Sequence, residues 1–472
     1  MSESTQIETE LVVLGGGPGG YAAAFYAADL GKKVTLVERA PQLGGVCLHR
    51  GCIPSKALLH ATHLKQEASE AENIGLKFSE PELDLDKLRN WKDQTINNLA
   101  GGIAKLAKAR GVEVVTGRGH FDDATHLRVE TENGQRFVNF QKAIIAVGSR
   151  SALPRAFDLG NPRVMTSRGA LQLEDIPEKL LVVGGGYIGM ELGTVYAGLG
   201  SNVTLVESLD RILTGVDKDL MRPVLQSAKQ RFETIHLGAK VESMATEGSQ
   251  IKTVITPKSG EAMELKFDRV LVAVGRSPYT QDLGLENTRI KTDRHGFIEV
   301  DDSLFTAEPG IAAIGDCIGG AMLAHKSHHE ARKAVDAMYQ SEEPPLEMNI
   351  PAVIFTDPEV AWCGLTEEQA KADGVEHQVV KFPWGASGRA MSVGRTNGLT
   401  KIIVDPNTER MLGMGIAGNG AGELIGEGIL ALEMGATVYD LAHTIHPHPT
   451  LSETIMEAAD IFYGHATHFK RG

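Results

Sequence analysis

The sequence predicts an α/β protein: two Rossmann-like units of one kind, the second inserted into the first, followed by a C-terminal α+β domain. Three observations predict it. A pattern of strand, glycine turn, helix and strand, closed by an acidic residue, occurs twice. Each copy has a later apolar run that stops at glycine. Beyond a Pro-containing stretch, strand-like and helical pieces alternate without a third copy of the pattern. A chain of 472 residues is too long for one ordinary core and suits about three domains.

In the first copy, residues 11–15 (LVVLG) read as a short buried strand. GGPGG follows, then a helical run to about Leu30 and a strand from Val34 to Val37 that ends at Glu38. In the second copy, Leu181–Val183 runs into GGGYIGMELG. A helix extends to about Gly200, and the strand Val203–Val206 ends at Glu207. Gly15 and Glu38 lie 23 positions apart, as do Gly184 and Glu207, and the copies are offset by 169 residues. That offset is far too long for a solenoid, so the repeat means two domains. Ala143–Gly148 and Val270–Gly275 are the closing runs. The predicted limits are 1–150 with 273–349 for the first domain, 151–272 for the second and 350–472 for the third. Glu342–Pro351 reads as a linker. In the last part, KIIVD (residues 401–405) reads as a strand and Gly422–Met434 as a helix.

A lone GxGxxG is weak, but here Gly15, Gly17 and Gly20 follow a strand, open a helix and lead to an acidic strand end. The first glycine permits the tight turn and the second lets backbone approach a pyrophosphate. The third allows close packing, with the phosphates at the helix N-terminus. Glu38 is placed to accept from ribose hydroxyls. Gly184, Gly186 and Gly189 repeat the arrangement, with Glu207 as the acidic residue. A carboxylate at Glu207 suits a free 2′-hydroxyl and repels a 2′-phosphate, so NAD is expected rather than NADP. Arg211 is the single basic residue just beyond it. Two dinucleotides in one chain imply electron transfer between them. Thr306–Asp316, an apolar strand ending in Gly-Asp, is suited to present Asp316 to ribityl hydroxyls, which makes FAD the expected ligand of the first site.

Cys47 and Cys52 lie in GGVCLHRGCIPSK (residues 44–56). A disulfide needs Cα atoms within about 7 Å, while one regular helix would separate them by roughly 7.5 Å along its axis. Cys47 is therefore expected in irregular backbone freed by Gly44, Gly45 and Gly51, with Cys52 nearer a helix start. There the helix N-terminus would favour its thiolate, and a bridge so confined would be readily reduced. Cys317 and Cys363 are isolated, lack metal-ligand spacing and read as core residues. No metal is expected. The formal charge of −14 argues against nucleic-acid or membrane-surface partners. The polar start and the few cysteines suggest a cytoplasmic protein.

GGVCLxxGCIPSK, the two glycine fingerprints and the Gly-Asp segment resemble the pyridine nucleotide–disulfide oxidoreductase family over essentially the whole chain. LAHK (residues 323–326), FPWGASGRA (382–390) and HPHPTLSE (446–453) resemble its members that oxidise protein-bound dihydrolipoamide. Pro447 departs from the small residue usual there. The resemblance implies a homodimer held by the C-terminal domain. It implies a His448–Glu453 base facing the cysteines of the other subunit, and a Lys56–Glu191 pair beside the flavin. His446 and His443 neighbour that base in sequence. Lys56, Gly148 and Ala324 join Gly15, Gly17, Gly20, Glu38 and Asp316 in the expected FAD site; Gly275 joins the NAD site. The implied partners are lipoyl domains of the acyltransferases of 2-oxoacid dehydrogenase complexes, or a glycine-cleavage carrier. Other NAD(P)H-dependent disulfide reductases of the family are the nearest alternative, followed by a non-enzymatic NAD-responsive protein. The latter leaves the cysteine and histidine sets unexplained.

Overall fold

The computed structural model describes residues 6–258, 260–340 and 349–470. Residues 342–348 of the predicted linker lie outside the described residues. The first sheet runs in the order Glu113–Thr116, Val34–Glu38, Gln6–Leu14, Gly134–Ile145, His126–Thr131 and Arg118–Phe121, with Ile311–Ala313 also paired to Gly134–Ile145. Its central pairings are parallel, and Val34–Glu38 is buried along its whole length, Thr35 and Glu38 included. Helix Pro18–Asp29 packs on it with Ala23, Ala24 and Ala27 buried. Ala331, Ala334 and Val335 of helix Ala324–Tyr339 belong to the same core. These small side chains let the two helices approach closely.

The second sheet repeats the scheme in parallel: Thr234–Leu237, Asn202–Glu207, Lys179–Val183, Arg269–Val272 and Val164–Met165. A three-stranded antiparallel sheet of Lys240–Glu247, Gln250–Thr256 and Met263–Phe267 is inserted between Thr234–Leu237 and Arg269–Val272. Where the chain passes between the two units, Ser149–Ser151 and Arg276–Pro278 pair as an antiparallel ribbon. The C-terminal sheet is antiparallel, in the order Ala352–Ile354, Glu359–Gly364, Met411–Gly418, Leu399–Val404 and Gln378–Pro383. Helices Ala421–Glu433 and Glu453–Tyr463 cover it with Ile425, Ile455 and Ala458.

Both closing strands stop short of the predicted glycines, at Ile145 and Val272. The chain leaves each sheet to cross the glycine turn. A Cβ on Gly15 would fall 2.3 Å from the Ala146 carbonyl oxygen, and one on Gly184 would fall 2.5 Å from that of Ala273. The segment Thr306–Asp316 is strand only at Ile311–Ala313 and then turns into a short 3₁₀ helix, Gly315–Ile318. Among the described residues, no helix is long and apolar enough to cross a membrane.

Candidate active site

The two glycine turns have nearly the same geometry. Gly15 and Gly184 take φ of +108° and +105°, a conformation that L side chains rarely adopt. A Cβ on Gly20 would sit 1.7 Å from the Gly15 carbonyl oxygen, and one on Gly189 would sit 1.9 Å from that of Gly184. The third glycine thus admits the helix against its own turn. At the middle glycine nothing intrudes: a Cβ on Gly17 meets only Gly45 Cα at 3.8 Å, and one on Gly186 meets nothing within 4 Å. That open face at each helix N-terminus is where a pyrophosphate fits.

Both acidic residues do more than sequence reasoning assigned them. Glu38 accepts the Gly16 N–H at 2.6 Å and the Ala40 N–H at 2.8 Å. Glu207 accepts the Gly185 N–H at 2.6 Å and the Leu209 N–H at 2.8 Å. Each carboxylate braces its glycine turn. Arg211, the lone cation beyond Glu207, is bonded to Glu368 of the C-terminal region at 2.7 Å.

The first turn opens into a cavity that is partly open to solvent. Gly15, Gly17, Glu38, Cys47, Cys52, Lys56, Gly148, Glu191, Asp316 and Ala324 all line it, so most of the predicted flavin and dithiol residues share one cavity. Gly20 lies buried behind the turn. Gly184, Gly186, Gly189, Glu207 and Gly275 are not on this lining, although Tyr187, Ile188 and Glu191 of the second fingerprint helix are. The two sites therefore meet through that helix. Asp316 is held from two sides. Ser149 Oγ donates to it, and Arg276 Nε lies 3.6 Å from it while donating to Ser149 Oγ at 2.7 Å. The preceding Gly315 N–H donates to buried Glu330, which pairs with Lys326 at 2.5 Å. Next to Glu38, Arg39 lies over the Tyr279 ring at 3.8 Å, beside a smaller cavity continuing from Gly15. Sequence reasoning missed Ser149 and Arg276, although each directly follows a closing-strand glycine. It also missed Arg39, next to the acidic strand end. Nothing in the sequence pointed to Tyr279.

The cysteine loop differs from its expectation. Cys47 does not lie in irregular backbone but in a short helix, Gly45–Arg50, and Cys52 starts a second helix, Cys52–Glu70. Gly51, at φ −151° and ψ −109°, breaks the path between them, so the spacing limit of one continuous helix does not apply. Gly45 (φ +62°) brings this segment against the first turn, where a Cβ would fall 2.6 Å from Gly17 Cα. The structure holds both cysteines as free thiols in hydrogen-bonding contact. That bond and burial raise the Cys47 thiol far above its ordinary value. The same bond and the Lys56 charge lower Cys52 to about 7, against burial and Glu191. One thiol keeps its proton while the other is poised as a thiolate. Cys317 and Cys363 are buried, and burial pushes each thiol up to about 12.

Lys56 Nζ donates to both Glu191 oxygens, at 3.0 and 2.8 Å. Glu191 is 3% exposed and also accepts from Ser55 Oγ at 2.8 Å and from the Phe355 N–H at 3.1 Å. A carboxylate so deep, with so many donors, is no ordinary surface charge.

In the C-terminal region, His448 Nδ1 meets Glu453 Oε1 at 2.8 Å, and the Thr450 N–H steadies Glu453 Oε2 at 2.7 Å. The His448 side chain is 71% exposed and is absent from the lining of the cysteine cavity. Its neighbours serve elsewhere. His446 bonds Glu427 through Nε2 and the Thr444 carbonyl through Nδ1, and His443 stacks on Tyr439. Among the described residues, no three His, Cys, Asp or Glu side chains are grouped to hold a metal ion. A site with a dithiol on one face and an exposed, carboxylate-oriented imidazole elsewhere can perform thiol–disulfide exchange if a second copy supplies the base.

Comparison with known proteins agrees with this geometry. The family described as pyridine nucleotide-disulphide oxidoreductase matches residues 9–331, and its dimerisation domain matches residues 350–459. A dihydrolipoyl dehydrogenase of Vibrio parahaemolyticus is 44% identical over 464 residues, covering 98% of either chain. One from Halobacterium salinarum is 42% identical over 464 residues, covering 98% of this chain and 97% of its own. Among solved structures, LpdA from Mycobacterium tuberculosis superposes with a TM-score of 0.89 at 27% identity, covering 96% of this chain and 99% of its own.

Proposed function

Because the chain belongs to the pyridine nucleotide-disulphide oxidoreductase family, we propose that it oxidises dihydrolipoamide to lipoamide with NAD⁺ as acceptor. FAD and NAD(H) are its cofactors, and the protein is a homodimer. The observation that carries the proposal is the pair of unequal thiols, Cys47 and Cys52, on the wall of the cavity that the first glycine turn opens. Gly15, Gly17, Glu38 and Asp316 would hold FAD; Gly184, Gly186, Gly189 and Glu207 would hold NAD. When bound, FAD supplies the hydride relay between the dithiol pair and the nicotinamide.

The exchange half-reaction needs only side chains of the dimer. His448 of the partner subunit removes a proton from one substrate thiol, and the resulting thiolate attacks Cys47 Sγ. A mixed disulfide forms, the Cys47–Cys52 bond breaks, and Cys52 leaves as a thiolate. The second substrate thiol, deprotonated in turn, closes the cyclic disulfide and expels Cys47, which takes a proton. Two electrons then reside on the cysteine pair, and the Lys56 ammonium faces the Cys52 anion. Glu453 fixes the tautomer of His448 and stabilises its imidazolium. The proposed setting is cytoplasmic, with lipoyl domains as the carriers of the dithiol.

His448→Gln should lower the dihydrolipoamide half-reaction by roughly 10²- to 10⁴-fold, the usual worth of a positioned base. It should spare reduction by NADH, which removes no proton from the dithiol. Co-expressed, differently tagged His448→Gln and Cys47→Ser chains should give doubly tagged dimers that regain activity. Each such dimer has one site with an intact cysteine pair and an intact base. A verified hybrid as inactive as its parents would place the base within one chain and sink the intersubunit assignment.

A further inference from the structure

Lys56 lies one helical turn past Cys52, on the same face of helix Cys52–Glu70. Its ammonium has a second neighbour besides Glu191: the ring of Phe355, whose centroid is 4.4 Å from Nζ. The Phe355 N–H also donates to Glu191 Oε1 at 3.1 Å. A single residue of the C-terminal region thus touches both members of the pair, the carboxylate through its backbone and the ammonium through its ring.

The surroundings hold Phe355 in place. It follows directly on the strand Ala352–Ile354, which pairs with Glu359–Gly364. Two residues on, Asp357 bonds Arg231 at 2.5 Å, with Arg395 at 3.5 Å and His63, from the cysteine helix itself, at 3.8 Å. Lys56 and Phe355 also line a second cavity, together with His60, His63, Asp357 and Glu359. Lys56 therefore stands between two cavities, and a lysine ammonium is strongly hydrated wherever water reaches it.

We infer that Phe355 is a positioning residue for Cys52, acting through Lys56: its ring, on the lining of the second cavity, walls the ammonium off from that cavity. Within one subunit, the charged and titratable groups facing Cys52 are Cys47 on the short helix, Lys56 on its own helix, Glu191 and Tyr187 on the second fingerprint helix, and Tyr21 on the first; in the proposed dimer the partner's His448 faces the pair from the Cys47 side. Of the groups within the subunit, only Lys56 brings a positive charge. Without the ring, the ammonium relaxes toward the second cavity while the Glu191 anion stays. The field at Cys52 becomes less positive, and its thiolate forms at higher pH. The inference rests on Cys52 being the thiolate of the pair and not on the identity of the dithiol, so its failure leaves the lipoamide reading standing.

The test is alkylation of NADH-reduced, anaerobic holoenzyme with iodoacetamide across a pH series. Tryptic cleavage after Arg50 separates the Cys47 and Cys52 peptides for quantitation. In the unmodified protein, Cys52 labelling should rise with a midpoint near pH 7. Phe355→Leu should move that midpoint up by about half to one unit, slowing labelling at pH 7 by roughly two- to fivefold. Phe355→Tyr keeps the ring and should restore the original profile. Lys56→Met should shift it at least as far as Phe355→Leu. FAD content and Tm are checked for each variant, and Phe355→Met replaces the leucine variant if that one loses its flavin. A midpoint unmoved in the leucine or methionine variant, with Lys56→Met shifted, overturns the role of the ring. A midpoint unmoved in Lys56→Met overturns the route through the ammonium.

Discussion

The two glycine turns make a natural controlled comparison within one chain. Gly15 and Gly184, Gly20 and Gly189, and Glu38 and Glu207 match in backbone angle, close contact and hydrogen bonding. What surrounds them differs. The first turn faces a cavity closed by the cysteine helices, the Ser149–Asp316–Arg276 cluster and the Ala324–Tyr339 helix. The second turn has no place on that lining. Equal local chemistry thus meets different surroundings, and on the proposed function the first encloses the flavin while the second exchanges the nicotinamide. The difference lies in what the rest of the chain packs around each turn.

The largest expected effect comes from the third glycines. A Cβ at Gly20 or Gly189 would lie within 2 Å of a backbone oxygen, so the helix must shift. Overpacking of this kind costs about 1–3 kcal/mol or more. Gly20→Ala should leave protein with little bound FAD. Gly189→Ala should keep its flavin spectrum and lose rapid reduction by NADH in stopped flow. Equal FAD loss in both variants would break the assignment of FAD to the first turn and NAD to the second.

Next in size is Glu207→Gln. It removes the charge that repels a 2′-phosphate while keeping an acceptor for a backbone N–H. The ratio of kcat/KM for NAD⁺ over NADP⁺ should fall by up to roughly a hundredfold, the equivalent of about 3 kcal/mol for a poorly screened like-charge contact. An unchanged ratio would shift the discrimination to another residue.

The smallest effects belong to the middle glycines. Gly186→Ala places a methyl in open space, so Tm should hold within about 1–2 °C, as for other surface changes. KM for NAD⁺ should rise severalfold, because the methyl stands where the pyrophosphate approaches. Gly17→Ala should act alike on FAD affinity, measured by flavin release. A fall in Tm without a change in nucleotide affinity would show that these glycines serve the fold alone.

Much of this was legible in the sequence because it is local. A positive φ needs glycine, a buried parallel strand needs an apolar run, and a helix begins after a glycine turn wherever the chain later goes. The fingerprints, the Lys56 spacing from Cys52 and the His448–Glu453 spacing belong to that class. Sequence reasoning about Cys47 failed on the same local ground. It treated the separation along one helix as decisive, whereas Gly51 splits the segment into two helices.

Tertiary structure alone decided the relations between distant residues. That Glu368 engages Arg211, that Ser149 and Arg276 hold Asp316, and that Phe355 caps the Lys56–Glu191 pair depends on segments 40 or more positions apart. No periodicity records such meetings, because each residue type is compatible with many partners and only the packed sheets bring one within hydrogen-bonding reach. The same holds for His448. Its spacing from Glu453 is written in the chain, but its exposure away from the cysteine cavity is a property of the packed subunit. The sequence determined the chemistry available at each position, and the fold decided which of those chemistries meet.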